Sequence, residues 1–280
     1  MMLAVAVAIM AGWMQPGVAL AAKPLSATEI AAQDDALIER LEKSGKLDAA
    51  LDRAIERRIA REQERREAEA KAEAEARNEA AKNVRPVGEK DRIHGPANAK
   101  VSIIVWSDPE CPYCKRFAGI PQQTVDRAEG LANSAVRLFP LPFHGQAAMQ
   151  ASLDALCVAD QAGEAGYYAF FDGYLNASAL NGQGIAPQGK QSSEQLVEEL
   201  AKKSGVKKVA DWQSCRKALA TRERLQAEFA DGEAAGVQGT PSVILRNNET
   251  GAVRLLPGAM PVEYLLQQVK ELAGEGAAAK

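Results

Sequence analysis

Two cysteines with two residues between them, Cys111-Pro112-Tyr113-Cys114, stand four residues beyond the apolar run 101–106, after Ser107-Asp108-Pro109-Glu110, and before a segment whose apolar residues Phe117, Ile120 and Val125 fall at helical intervals. The β-branched run, closed by a Pro-containing turn, predicts a buried strand. The segment after Cys114 predicts a helix that Pro121 kinks. A dithiol at a strand-to-helix junction puts its first sulfur at a helix N-terminus. There, unpaired backbone N–H groups and the positive end of the dipole favour thiolate over thiol. The second sulfur lies one turn further in, within reach of a mixed disulfide formed by the first. This spacing predicts Cys111 as the exposed attacker and Cys114 as the resolving thiol, with Pro112 and Tyr113 tuning the first turn. A structural disulfide and half of a zinc site are the competing readings. Zinc needs further Cys or His ligands, and the chain has two His and one widely split second Cys pair.

Far downstream, Val237-Gln238-Gly239-Thr240-Pro241-Ser242 leads into the apolar run 243–245. Proline cannot donate to a sheet ladder, so Pro241 belongs at the start of a strand. A Thr-Pro bond is by itself a weak signal for a cis peptide.

CPYC after one strand and GTPS before another together resemble the thioredoxin fold. The pattern is most similar to the periplasmic DsbA, DsbC and DsbG group of thiol:disulfide oxidoreductases, over roughly residues 90 to 273. The resemblance implies a cis proline beside the dithiol, with Thr240 and Pro241 holding substrate backbone. It also implies unfolded or wrongly disulfide-bonded proteins as substrates, and a membrane redox partner that recharges the dithiol. Dithiol chemistry requires no cofactor and no metal.

The chain has 280 residues, 46% hydrophobic, with a net charge of −3, and nothing in this balance points to nucleic acid as a partner. Residues 3–14 are almost wholly apolar before Pro16 and Gly17, and Ala19-Leu20-Ala21 supplies small residues two positions apart. This predicts a signal peptide over 1–22, cleaved after Ala21 or Ala22, and hence a periplasmic location. No Lys or Arg precedes the apolar run, which leaves the true start codon open. The run is too short to span a bilayer. An exported location permits stable disulfides.

Residues 23–85 predict a helical arm and charged spacer. Ser26 and Glu29 form a capping-box pattern. Ile30, Leu37, Ile38 and Leu41 recur at helical spacing, Ser44-Gly45 interrupts, and Leu47, Leu51, Ile55 and Ile59 follow four residues apart. This narrow apolar stripe wants a partner, either the same helix of another subunit or the chain's own catalytic domain; self-association is the expectation. Over 61–82 the apolar residues are almost all Ala, which predicts a solvated, semi-rigid helical spacer without a core face, ended by residues 83–86.

The catalytic domain is expected over 86–273, with a helical insertion at about 145–230 and a frayed tail at 274–280. Within it, His94 reads as a loop residue and 135–141 as a strand ending at prolines. His144 reads as a capping or turn residue, with an approach to the dithiol as the alternative, ahead of a helix over about 146–161. The segments 242–246 and 252–256 read as a hairpin, followed by a helix opened by Pro261. Cys157 and Cys215 both fall in the insertion. A structural bridge between them is the expectation, and two separate buried thiols the alternative.

The expected fold is therefore α/β: a thioredoxin-like domain with a helical insertion, preceded by a long helical arm. The layout resembles the ScsC-type members, whose N-terminal helices oligomerise DsbA-like domains. Thr before Pro241 matches the DsbC and DsbG side. The implied activity is a disulfide isomerase or reductase, with a DsbA-type oxidase second. Glutaredoxins also carry CPYC, and a client-binding scaffold without enzyme activity is a further alternative.

Overall fold

The computed structural model describes residues 26–274, so the predicted signal peptide and the end of the tail lie outside the described residues. Helix α1 (Ala27–Lys43) opens with the capping box of Ser26 and Glu29. Ser44 and Gly45 (φ 65°) separate it from α2 (Lys46–Ala81). By contacts the chain forms two compact units that divide between Ala68 and Glu69. In the first unit Ile30, Leu37, Ile38, Leu47, Leu51, Ile55 and Ile59 are exposed, so the stripe has no cover within its own segment.

The second unit is built on a five-stranded sheet of order β1-β3-β2-β4-β5, comprising β1 (Ile93–His94), β2 (Val101–Ser107), β3 (Ala132–Leu138), β4 (Ser242–Asn247) and β5 (Val253–Pro257). Strand β2 is central, parallel to β3 and antiparallel to β4, and every one of its residues is buried. A strand covered on both faces can be continuously apolar. Its side chains alternate between two cores: Val101, Ile103 and Val105 face one, Ile104 and Trp106 the other.

The second core corrects the expectation for the spacer. Ala81 is fully buried against it and Val84 nearly so, beside Phe139, Ala235 and Ile244. The end of α2 is thus part of the second unit. Small Ala side chains let the helix approach closely, and Gly236 completes the fit, since a Cβ there would lie 2.9 Å from the Ala80 Cβ. Asn78 Oδ1 accepts the Leu255 N–H at 3.3 Å, and Asn83 Nδ2 donates to the Ala234 carbonyl at 3.2 Å.

After the cysteine motif, the helix breaks at Gly119 (φ 75°), not at Pro121. It forms α3 (Pro112–Phe117) and α4 (Ile120–Asp126), with Pro121 seated in the first turn of α4, where no N–H is needed. Between β3 and β4 lie α5 (Gly145–Ala177), kinked at Gly163, then α6 (Ser193–Lys203), α7 (Val209–Cys215) and α8 (Leu219–Ala234). Helix α9 (Val262–Ala273) starts after Pro261 and packs Leu265 and Val269 into the core. His94 is not in a loop: it pairs as β1 with β3, and its ring nitrogens meet Asp126 at 2.9 Å and Glu164 at 3.2 Å.

A buried charge network holds the entry segment to β3 and α8. Arg137 meets Asp91 at 2.9 Å with both side chains essentially inaccessible, and Arg92 meets Glu228 at 2.5 Å. Glu228 also accepts the Leu138 N–H at 2.6 Å. Burial works against the charge of Asp91, yet hydrogen bonds from Arg137 and Arg85 hold its carboxyl down at about 2.

Candidate active site

Cys111 is the N-cap of α3, in extended backbone conformation, with Pro112 in the first turn. Cys114 lies one turn in. Both are free thiols. The Thr240–Pro241 peptide is cis, and the Cys111 thiol faces the Thr240 carbonyl at 3.4 Å. The fold therefore brings the two motifs together from 129 residues apart.

The structure corrects the expected exposure of the first cysteine. Cys111 is 3% exposed and Cys114 1%, because the Thr240 loop leans over the first sulfur. What separates the two is their hydrogen bonding and their depth. The hydrogen bond from Cys114 pulls the Cys111 thiol down to about 6, against burial, and Thr240 and the backbone N–H groups of Cys114 and Tyr113 add to it. Burial pushes the Cys114 thiol well above its ordinary value, and the neighbouring Cys111 reinforces this. At neutral pH these shifts favour the anion at Cys111 and the protonated thiol at Cys114. Tyr113 is exposed, with the Arg116 guanidinium 4.4 Å from its ring centroid.

Two acids before the motif, Asp108 and Glu110, are each fixed by partners of their own. Neither Asp108 nor Glu110 has accessible surface. Asp108 Oδ1 accepts the Glu110 N–H at 2.7 Å. Its Oδ2 accepts the Leu141 N–H at 2.7 Å and meets His144 Nδ1 at 2.8 Å. Burial raises the Asp108 carboxyl, and these three partners act against the rise. The Asp108 N–H itself points to Cys114 Sγ at 3.4 Å. His144 thus reaches the dithiol at one remove, through Asp108. Its own place is the end of a short 3-10 turn, Pro142–His144.

Glu110 turns to the insertion. Its carboxylate accepts from the Ser178 hydroxyl at 2.7 Å, the Gly182 N–H at 3.0 Å and the Gly184 N–H at 3.2 Å, and its carbonyl accepts the Asn181 N–H at 2.8 Å. Leu180, Asn181, Gly182 and Gly184 all have positive φ, so the loop's backbone donors curl around the carboxylate as an anion nest. The sequence signal for this loop was the glycine-rich stretch after α5; nothing local in it named Glu110 as its anion.

In the insertion, Cys157 of α5 and Cys215 of α7 are bonded to each other, with Cα atoms 5.9 Å apart. Asp160 lies beside them, 3.6 Å from Cys215 Sγ. With their sulfurs joined, these cysteines offer no thiolate for a metal.

A family model described as thioredoxin matches residues 88–254, more than half of the chain. The chain belongs to the thioredoxin family. Among solved structures, this thioredoxin-family chain is similar to Pseudomonas aeruginosa DsbA2, at 25% identity and a TM-score of 0.56, covering 68% of this chain and 98% of that one. BcfH of Salmonella enterica Typhimurium matches at 15% identity and a TM-score of 0.65, over 87% and 100% of the two chains, a likeness of fold alone. The catalytic domain of Proteus mirabilis ScsC matches at 22% identity and a TM-score of 0.49, over 67% and 91%, too distant to carry weight. No curated protein matches the sequence.

Proposed function

We propose that this protein is an exported thiol:disulfide oxidoreductase that acts as an isomerase or reductase on wrongly disulfide-bonded proteins. The observation that carries the reading is the contrast within the dithiol: a lowered Cys111 at the helix start beside Thr240, and a raised, buried Cys114 behind it. In the reaction, the Cys111 thiolate attacks one sulfur of a client disulfide. That S–S bond breaks, a mixed disulfide forms, and the departing client thiolate carries off the electron pair. Two endings are open to the intermediate. If a different thiolate of the same client attacks the client sulfur of the mixed disulfide, Cys111 leaves as a thiolate with the electron pair, and the disulfide has been moved without net oxidation. If Cys114 loses its proton and attacks Cys111 Sγ, the client leaves with two thiols and the enzyme holds the disulfide.

The exposed stripe of the arm supports oligomerisation, because burying each such side chain contributes about 1.5–3 kcal/mol. Several dithiols around one client favour displacement and re-pairing over a single oxidation. The apolar N-terminal run, outside the described residues, and the Cys157–Cys215 disulfide support a periplasmic location. A membrane redox partner then resets the dithiol.

A second reading, a dithiol oxidase, is favoured by the similarity to P. aeruginosa DsbA2. Reactivation of scrambled ribonuclease, measured beside oxidation of reduced ribonuclease, decides between them. An isomerase restores activity to the scrambled protein faster than it oxidises the reduced one. The opposite ratio would make the protein an oxidase.

A further inference from the structure

The groove beside the dithiol has a wall that comes from the arm helix. A cavity of about 310 Å³ is lined by Tyr113, the segment from Gln238 to Ser242, Leu255, Gly258 and Arg77 of α2. Arg77 is held there by its neighbours. Asn78 is tied to the Leu255 N–H at 3.3 Å, and Ala80 packs on Gly236.

Arg77 is half-buried, yet among the described residues its guanidinium has no hydrogen bond and no ion pair. Glu73, one turn earlier on the same face, is not bonded to it. No Asp or Glu lines the cavity. The nearest acids of the motif are occupied elsewhere, Asp108 with His144 and Glu110 with the insertion loop. The remaining cations near the motif are also committed, Arg116 to the Tyr113 ring and Lys115 to the Asn176 carbonyl at 3.3 Å. Arg77 is therefore the cation left over in a groove without a carboxylate. A half-buried cation with no partner of its own attracts an opposite charge more strongly than one in open water.

The same groove offers backbone donors. Among the described residues, the N–H groups of Gln238, Gly239 and Thr240 have no hydrogen-bond partner. Such a row receives an extended chain by strand addition, with side-chain neighbours setting specificity.

We propose that Arg77 selects the client: the groove takes an extended segment that carries an Asp or Glu close to its reacting cysteine, with the carboxylate on Arg77. The proposal rests on the thiol–disulfide exchange reading and names the substrate feature that this reading leaves open. It makes the end of α2 part of the substrate site.

The test uses two synthetic peptides, identical except for Glu or Gln beside a single cysteine, each joined by a disulfide to a chromogenic aryl thiol. The Cys111 thiolate attacks the peptide sulfur, the aryl thiolate leaves with the electron pair, and its absorbance reports the rate. Full-length reduced protein is expected to react on the order of fivefold faster with the Glu peptide, the size of a partly solvated ion pair. The preference should fade as salt is added. It should vanish in Arg77→Gln and invert in Arg77→Glu, read in each protein as the ratio of the two peptide rates, so that any change common to both peptides cancels. Equal rates for the two peptides with wild type, or a preference that survives Arg77→Gln, overturn the proposal. No aryl thiol released from either peptide would instead remove the exchange reading beneath it.

Discussion

The Glu110 carboxylate accepts the Gly182 N–H at 3.0 Å across 72 residues of chain, tying the residue before the first active-site cysteine to the loop after α5. Glu110→Ala leaves the Gly182 and Gly184 N–H groups and the Ser178 hydroxyl without their acceptor. An unsatisfied buried donor costs roughly 1–3 kcal/mol. The expected outcome is a drop of that order in urea stability, with hydrogen-exchange protection lost first over 178–184. Unchanged protection there would show that the loop is held by other contacts.

Division of labour at the dithiol sets a pH window. The Cys111 thiol is lowered from its ordinary range to about 6, so its alkylation rate should rise with a midpoint near pH 6 and flatten well below pH 9. A lowered folded-state pKa stabilises the reduced protein above the unfolded thiol's range, and this stability is lost as pH falls through 6. Cys114→Ala should accumulate mixed disulfides with clients, and Cys111→Ala none. Thiol trapping that finds Cys114 reacting first would reverse the roles.

The bridge between Cys157 and Cys215 closes a loop with a sequence separation of 58 and joins α5 to α7. Replacing both with Ser should cost about 2–4 kcal/mol, read from the urea midpoint of the oxidised proteins. Non-reducing peptide mapping of the exported protein checks the pairing directly. Two freely alkylated thiols would contradict it.

Acid stability should depend on Asp91. Its carboxyl is held near 2, below the ordinary 3.8, so its contribution is present above about pH 4 and lost as pH falls toward 2. Asp91→Asn should lose roughly 3 kcal/mol at neutral pH, since buried Arg137 loses its partner at 2.9 Å and keeps Asp231 at 3.8 Å. The gap between variant and wild type should narrow on acidification. A gap independent of pH would point to packing instead of charge.

Truncation should be made at the contact boundary and not at the end of the spacer. Deleting the chain through Ala68 keeps Arg77, Asn78 and Ala81 on the catalytic unit. The product is expected to be monomeric by light scattering, to keep exchange with small disulfides, and to lose reactivation of scrambled ribonuclease. Deletion through Lys82 should in addition destabilise the domain, because it uncovers Ile104 and Ile244. A truncated protein that remains oligomeric, or that isomerises as well as the full chain, counts against the arm.

Much of this protein is legible in local sequence because its chemistry is local. A Cys-x-x-Cys after a β-branched run states both a strand and a helix start, and a helix start is what lowers a thiol's pKa. Gly45 and Pro261 mark element ends through their own backbone limits, and period-four leucines and isoleucines state an exposed helical face. Contacts between distant segments carry no such local signature. An Ala-rich helix reads as a spacer by composition, and only docking against Gly236 buries Ala81 and leaves Arg77 in a groove beside Thr240. Cys111 is covered because a loop 129 residues away leans over it. Asp108 and Glu110 look like two acids that oppose a thiolate, yet folding gives one to His144 and the other to a backbone nest. Sequence alone determined which atoms can react; packing decided which of them are charged, covered and within reach, because those depend on solvent exclusion and on partners that only the folded chain brings near.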